Sequence, residues 1–140
     1  MRTSYNGPLM ATDIIIEYPD KDHIVLIERK HPPYGLALPG GMMERITFAQ
    51  NAVKEAKEET GLEVRLRDVE PRLYMADDPR EFIATTVFVG TGYGTLRPDP
   101  DEDAASAAVY SRSQVRELIE KDRFAFKHHG QMLNDYLEER

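Results

Sequence analysis

The amino-acid sequence predicts an α/β fold in a single domain that covers residues 1–140. β-rich runs alternate along the chain with segments of helical periodicity, and no internal repeat or low-complexity linker interrupts them. A length of 140 residues, with 41% hydrophobic and 31% charged residues, suits one globular domain with its own core. This composition leaves no room for a second domain.

Two strands are predicted near the beginning of the chain. Residues 11–18 and His23–Arg29 are β-rich, and residues 19–22 between them contain the turn formers Pro19 and Asp20. A short connection of this composition predicts a β-hairpin.

A helix is predicted over residues 47–60, which contain neither proline nor glycine. Thr47 and Gln50 have the spacing of a capping box, and Gly61 is the preferred residue just past a helix end. Small apolar residues recur at helical spacing, so we expect the helix to lie close against a sheet. These residues are Ala49, Ala52, Val53 and Ala56.

The rest of the chain continues the alternation. Strands are predicted at residues 64–66, 69–74, 82–89 and 107–110, with turn-rich sequence at residues 90–103. Helices are predicted at residues 113–121 and 128–139. In the last helix, the side chains expected to face inward are Met132, Leu133, Tyr136 and Leu137.

Three glutamates are crowded on the helix over residues 47–60. At about 100° per residue, Glu55, Glu58 and Glu59 fall on one face, whereas Lys54 and Lys57 are expected to point elsewhere. Like charges at this spacing repel by about 0.2–0.5 kcal/mol per pair, so we expect a positive charge beside them. The alternative is a solvated face of glutamates and lysines.

A proline and two glycines, Pro39, Gly40 and Gly41, precede this helix. Paired glycines let backbone carbonyls approach a ligand or ion closely. Magnesium-type cations take oxygen ligands from carboxylates, carbonyls and water, and they bridge to phosphates. The turn and the three glutamates therefore predict a site for Mg²⁺ or Mn²⁺.

Residues 40–62 resemble the Nudix box, a diphosphate-hydrolase signature written G-x5-E-x7-R-E-U-x-E-E-x-G-U, with U a bulky apolar residue. Glu55, Glu58 and Glu59 match its metal-binding glutamates, and Gly61 and Leu62 match its end. The resemblance implies an α/β/α sandwich with a mixed sheet. It also implies that the carbonyl of Gly40, just before the box glycine Gly41, joins the metal ligands.

The first half of the box departs from the signature. Arg45 and Ile46 stand where the family usually has Gly-Glu, the segment is one residue short, and Lys54 replaces the arginine. In the family, that glutamate and arginine pair and brace the loop against the helix. Both partners are altered together here, so no lone buried charge is expected.

Residues 28–41 resemble the entry segment of ADP-ribose pyrophosphatase-type members of the family. Residues 78–80, Asp-Pro-Arg, and 124–128, which end in His128, resemble two further segments of these members. Residues 103–107 resemble a third, except that Ser106 stands where these members have a glutamate. Arg29 and Arg80 match positions of these members, which implies that they contact substrate phosphate; the alternative for each is a surface ion pair.

The residues predicted to form the site fall into three groups. Glu58 and Glu59 are the candidate catalytic residues, and the general base is either Glu58 or an acidic residue within 99–103. The candidate metal ligands are Gly40, Glu55, Glu58 and Glu59, and the candidate substrate-binding residues are Arg29, Arg80 and Gly41. His128 and His129 are interpreted as structural or surface residues, because adjacent residues do not share a helical face.

Composition limits partners and location. The net charge of −7 argues against broad affinity for nucleic acid, and a bound metal would make the acidic site attractive to phosphates. The chain has no cysteine, which excludes thiol catalysis. Its apolar runs are too short to cross a bilayer, so we expect a cytoplasmic protein without membrane contact. The resemblance implies a homodimer.

The predicted function is metal-dependent hydrolysis of the diphosphate bond in a nucleoside diphosphate linked to another moiety. The resemblance favours ADP-ribose, with AMP and ribose 5-phosphate as products. Two alternatives remain. One is a catalytically weak or inactive Nudix-fold module that binds a nucleotide, as the altered Ile46, Lys54 and Ser106 suggest. The other is a macromolecular-interaction domain whose glutamate face is only solvated.

Overall fold

The computed structural model describes residues 8–76, 82–98 and 104–139. These residues contain eight strands and three helices. The strands are β1 (Leu9–Glu17), β2 (His23–Arg29), β3 (Leu36–Ala37), β4 (Gly40–Met42), β5 (Glu63–Leu66), β6 (Arg72–Met75), β7 (Ile83–Tyr93) and β8 (Ala104–Ser111). The helices are α1 (Phe48–Thr60), α2 (Arg112–Glu120) and α3 (Lys127–Glu138).

The strands form one mixed sheet with the central order β3-β2-β1-β7-β5. β1 runs parallel to β7 along its whole length, from Leu9 opposite Ile83 to Glu17 opposite Thr91. β4, β6 and β8 pair with β1, β7 and β2, and all pairings other than β1 with β7 are antiparallel among the described strands. The predicted α/β fold with a mixed sheet is confirmed.

The predicted hairpin forms only beside its turn. β1 and β2 pair at Glu17 and Ile24. Further along, β4 occupies the edge of β1 at Ala11 to Asp13, so β2 is displaced from it. The sequence interpretation missed β3 and β4, because strands of two or three residues are too short to show a period of two.

Helices cover both faces of the sheet, as an α/β/α sandwich requires. Alternate residues of β1 serve the two sides: Ile14 and Ile16 pack with Ala52 and Ala56 of α1, whereas Ile15 packs on the side of α2 and α3. All four large side chains predicted to face inward from α3 are buried. None of the helices in the described residues is long and apolar enough to cross a membrane.

Both ends of α1 follow the sequence prediction. The backbone N–H of Thr47 donates to Gln50 Oε1 over 3.0 Å, and the N–H of Gln50 donates to Thr47 Oγ1 over 3.1 Å. Gly61 ends the helix in the left-handed region, with φ of +81°. The buried face is more polar than the predicted alanine stripe, because it includes Asn51 and Glu59.

Three extents differ from the prediction by three residues or more at one end, and the first is that of β6, which begins at Arg72 rather than at residue 69. β7 continues to Tyr93 through Gly90 and Gly92, which the sequence assigned to a turn-rich segment. A Cβ at Gly92 would lie 2.9 Å from Ile16 Cγ2, so this glycine permits close packing against β1 rather than a turn. β8 begins at Ala104, before the predicted start at residue 107.

Tyr136 carries a buried polar network between α3 and the end of β1. Its hydroxyl donates to the buried carboxylate of Glu17 and accepts from Arg112 Nη1 over 3.3 Å. Arg67 Nη1 lies 3.3 Å from the same carboxylate. Burial, together with the hydrogen bond to Glu17 and its charge, raises the pKa of Tyr136 to about 12.

This pKa predicts a loss of stability at alkaline pH. The unfolded phenol ionises near pH 10, so the contribution of Tyr136 is complete below pH 10 and is lost as pH rises through about 12. We expect the free energy of unfolding to fall by about 2–3 kcal/mol over this range through Tyr136. Urea unfolding of wild type and Tyr136→Phe at pH 9 to 12 measures it. The difference between the unfolding free energies of wild type and Tyr136→Phe should become smaller as pH rises. A difference that stays constant with pH would contradict the prediction.

Candidate active site

Gly40 and Gly41, which the sequence predicts as a turn, instead begin strand β4. This glycine pair keeps the name glycine turn below, and it meets α1 at two of its glutamates. The backbone N–H of Gly40 donates to Glu59 Oε1 over 2.7 Å, and Glu59 is buried. At Gly41, an added Cβ would lie 2.7 Å from the carboxylate carbon of Glu55. The structure therefore brings Glu55, Glu59, Gly40 and Gly41 together.

The position of the turn is set by its pairing with β1. Gly40 lies opposite Asp13 and Gly41 opposite Thr12. A Cβ at Gly40 would lie 2.3 Å from both Asp13 Oδ1 and the carbonyl oxygen of Thr12. Any residue larger than glycine would push the turn away from β1, and thereby away from Glu59.

Glu58 has a different environment from the other two glutamates. Lys54 forms an ion pair with Glu58 one turn away, so the prediction that Lys54 points elsewhere was wrong. Lys57 pairs with Glu63 over 3.1 Å and does point elsewhere. Glu58 borders a neighbouring cleft rather than the one that contains Glu59.

Lys54 also joins the helix to the preceding loop. Its Nζ lies 3.1 Å from Glu44 Oε2, and Glu44 belongs to the connection between β4 and α1. Hydrogen bonds to Glu58 and then Glu44 raise the pKa of Lys54. Lys54 thus has a carboxylate partner in the loop at Glu44, two residues before the position at which the resemblance expects one, while Ile46 is exposed.

A cleft opens beside Glu59 and is lined by both glycines and by Arg29. Arg29 Nε donates to the carbonyl oxygen of Pro33 over 2.8 Å, and its guanidinium lies 5.0 Å from the ring centroid of Phe126. The predicted Arg29 therefore lies in the same cleft as Glu59. The predicted Arg80 and the acidic residues at 99–103 lie outside the described residues.

Ser106 stands in β8, opposite Glu28 of β2, and is exposed. The position at which the resemblance expects a glutamate is therefore in a strand of this chain, beside an irregularity in the pairing between Glu28 and Arg29.

The same cleft contains three residues that sequence reasoning missed or misjudged: Asp13, His128 and His129. All three are buried, and one ligand atom from each lies within 4.8 Å of the others, close enough to hold a metal. The surface role considered for the histidines was wrong. They lie in the first turn of α3 with ring centroids 4.5 Å apart, where the helix end meets the sheet.

Asp13 is the centre of this cluster. Thr85 Oγ1 donates to Asp13 Oδ2 over 2.7 Å, and His129 Nε2 lies 3.3 Å from Asp13 Oδ1. Burial alone would raise the pKa of Asp13, but its interactions with His129, together with the Thr85 hydrogen bond, outweigh burial and hold that pKa below its usual value. The carboxylate therefore stays ionised.

Asn51 of α1 is a further polar residue beside the turn. Its Nδ2 donates to Thr12 Oγ1 over 2.8 Å and to the carbonyl oxygen of Gly41 over 3.4 Å. Its Oδ1 is buried and has no hydrogen-bond partner among the described residues. The carboxylates of Glu55 and Glu59 and the unpaired amide oxygen of Asn51 lie around the glycine turn. This set of oxygen donors fits a hard divalent cation.

Solved structures resemble this fold closely. A NUDIX hydrolase from Nitrosomonas europaea has a TM-score of 0.77 and 24% identity, over 98% of this chain and 74% of that one. A bifunctional NMN adenylyltransferase/ADP ribose pyrophosphatase from Francisella tularensis, complexed with AMP and Mn ion, has a TM-score of 0.81 and 22% identity. That match covers 98% of this chain but only 43% of the Francisella chain.

The NUDIX domain of Shewanella oneidensis NrtR, complexed with ADP ribose, has a TM-score of 0.78 and 15% identity, over 96% of this chain and 90% of that one. A search of curated proteins found no match. The sequence itself matches the NUDIX domain family over residues 8–132, which include the glycine turn, all of α1 and both histidines of α3. The chain therefore belongs to the Nudix family.

Proposed function

We propose that this protein hydrolyses the diphosphate bond of a nucleoside diphosphate linked to another moiety in a metal-dependent reaction, and that its substrate is ADP-ribose. The observation that carries the proposal is the convergence of Glu55 and Glu59 on the glycine turn. The fold similarity to a Francisella chain with ADP ribose pyrophosphatase in its name, and to a Shewanella NUDIX domain bound to ADP ribose, supports this choice of substrate.

Glu55, Glu59 and the Gly40 carbonyl would hold Mg²⁺ or Mn²⁺, and Glu58 completes the proposed set of ligands. When bound, the metal supplies charge neutralisation of the diphosphate and a lower pKa for a coordinated water. The hydrogen bond from Gly40 to Glu59 keeps one carboxylate oriented toward the turn. Glu58 can bind the metal only if its ion pair with Lys54 is broken.

The cleft beside these residues would hold the substrate. Arg29 is fixed by the Pro33 carbonyl and the Phe126 ring, and a guanidinium held in this way can contact phosphate oxygens through its planar fork. Gly41 offers an approach to the backbone without a side chain. Arg80 is proposed as a second phosphate contact, on the resemblance alone.

In the proposed reaction, a water oxygen forms a bond to one phosphorus as the bridging P–O bond breaks. The bonding electron pair leaves with the other phosphate, so that ADP-ribose and water give AMP and ribose 5-phosphate. The proton of the water passes to a general base, which is Glu58 or an acidic residue within 99–103.

A nucleotide-binding module with weak or no catalysis is the second candidate. The ion pair between Lys54 and Glu58 favours it, because a charged lysine competes with a metal for this carboxylate. The serine at position 106, where the resemblance expects a glutamate, favours it as well.

The experiment that separates the two candidates incubates the purified protein with ADP-ribose, other nucleotide sugars, dinucleotides and oxidised nucleoside triphosphates. Each is tested with and without Mg²⁺ or Mn²⁺, with product analysis by chromatography and parallel calorimetric titration. Metal-dependent release of AMP and ribose 5-phosphate supports the hydrolase. Tight binding of ADP-ribose without product would instead establish the binding module. The absence of both turnover and binding would exclude both candidates.

A single domain over residues 1–140, a homodimer, a cytoplasmic location and the absence of nucleic-acid or membrane partners complete the proposal. Sedimentation of the purified protein checks the oligomeric state, and cell fractionation checks the location.

A further inference from the structure

We propose that Asp13 and His129 are positioning residues, which hold the glycine turn so that Gly40 meets Glu59, and that their cluster with His128 is not a second metal site. The inference rests on the proposed function, because it assigns these residues a role in forming the metal site on α1. It concerns residues of three separate elements: β1, the turn that begins β4, and α3.

The tautomer of His129 follows from the contacts of its two ring nitrogens. The backbone N–H of Leu38 donates to His129 Nδ1 over 3.1 Å, so Nδ1 must present a lone pair. A neutral imidazole then carries its hydrogen on Nε2, the nitrogen that faces Asp13 Oδ1 at 3.3 Å. A nitrogen that carries a hydrogen cannot ligate a metal. His129 therefore links the backbone N–H of Leu38 to the carboxylate of Asp13, and the pair of His129 and Asp13 is called the clamp below.

The clamp reaches the proposed metal site in a few steps. Thr85 donates to Asp13, Asp13 faces His129, and His129 accepts the N–H of Leu38. Two residues after Leu38, the N–H of Gly40 donates to Glu59 over 2.7 Å. Thr85, Asp13 and His129 are all buried, and a broken hydrogen bond is expensive in such a place.

The clamp acts on the turn and not on α1. Asp13 Oδ1 fills the space directly against Gly40, where a Cβ would lie at only 2.3 Å from it. α1 is fixed independently, by the capping box at Thr47 and by Gly61. Release of the clamp should therefore move Gly40 relative to Glu59, and so weaken metal binding, while the helix stays formed.

Two substitutions of His129 separate the halves of the clamp. In His129→Asn the side-chain amide lies near the place of Nδ1 and can still accept from Leu38. In His129→Gln it lies near the place of Nε2 and loses that acceptor. We expect His129→Gln to weaken Mn²⁺ affinity by about 10-fold or more, and His129→Asn to weaken it clearly less. Saturating metal should restore most of kcat in both.

The measurements are Mn²⁺ binding by electron paramagnetic resonance, the Mg²⁺ concentration for half-maximal rate, and Tm in metal-free buffer. The matched control is the same pair of substitutions at His23, a more exposed histidine that pairs with Asp20 over 2.7 Å. The control variants should keep wild-type Mn²⁺ affinity. If a His129 variant does not fold, Asp13→Asn is used instead, and a smaller loss of Mn²⁺ affinity, like that of His129→Asn, is expected, because the Leu38 contact of His129 is kept.

Equal Mn²⁺ affinities for wild type and His129→Gln would overturn the proposal. So would nitrogen NMR spectra of the metal-free protein that place the hydrogen of His129 on Nδ1. Zn²⁺ or Mn²⁺ binding that survives Glu55→Gln with Glu59→Gln and disappears with His128→Ala would show a second metal site instead. The binding and NMR measurements need no turnover, so they judge this inference even if the proposed hydrolysis is not found.

Discussion

Replacement of Glu59 by glutamine is expected to reduce metal-dependent turnover of ADP-ribose by about 100-fold or more. The amide oxygen of Glu59→Gln can still accept the N–H of Gly40, which the carboxylate accepts over 2.7 Å. The fold should therefore be kept while the negative charge that would bind the metal is lost. Steady-state kinetics over a range of Mg²⁺ concentrations, together with Tm, measures both effects.

The matched control is Glu63→Gln. Glu63 is the first residue of β5, is exposed, and forms an ion pair with the exposed Lys57 at the protein surface. This variant removes the same charge from the same region and should keep wild-type kinetics. Undiminished turnover in Glu59→Gln would refute the assignment of Glu59 as a metal ligand.

Alanine at the two adjacent glycines of the turn is expected to affect different properties: metal affinity at Gly41 and stability at Gly40. In Gly41→Ala, the new Cβ would lie 2.7 Å from the carboxylate carbon of Glu55, which is the end of a flexible side chain. Glu55 should move aside, so Mn²⁺ affinity should fall with little change in stability. In Gly40→Ala, the Cβ would lie 2.3 Å from the Thr12 carbonyl oxygen, and the backbone must shift. We expect it to lose about 1–3 kcal/mol of unfolding free energy.

Urea unfolding and Mn²⁺ titration of both variants test this contrast. Gly130→Ala in α3 is the control, since its Cβ would make ordinary contact with Phe124 Cδ2 at 3.8 Å. A glycine inside a helix disfavours it, so this control should be neutral or slightly more stable. Equal losses of stability in Gly40→Ala and Gly41→Ala would contradict the geometry of the turn.

The parts of the fold that local signals encode could be predicted from the sequence. α1 begins at a capping box and ends at a glycine, and both signals are properties of a few neighbouring residues. The position of Glu55 and Glu59 beside the glycine turn was expected because the resemblance to the Nudix box implies that these residues share one metal site. β3 and β4 could not be predicted, because backbone pairing with distant strands defines them.

The polar contacts that shape the site were less predictable. Helical spacing alone allows Lys54 to pair with Glu58, but the partner in the loop, Glu44, depends on how the chain folds between β4 and α1. The clamp is the extreme case, since Leu38 and His129 are 91 positions apart. The packing of α3 against the sheet brings these two residues into contact, and no local sequence pattern predicts that contact.

The two ends of α1 also decide where this segment of the chain can change in length. At its end, a Cβ on Gly61 would lie 2.5 Å from the carbonyl oxygen of Arg97, whose N–H donates to Thr60 over 2.7 Å. One residue inserted or deleted within Phe48–Thr60 would rotate one end of the helix relative to the other by about 100°, so the contacts at Thr47 and at Gly61 could not both be kept. The connection at residues 43–47 has no such periodic constraint. Its shortening by one residue relative to the family signature therefore leaves the carboxylates in place, and only the loop partner of Lys54 has moved.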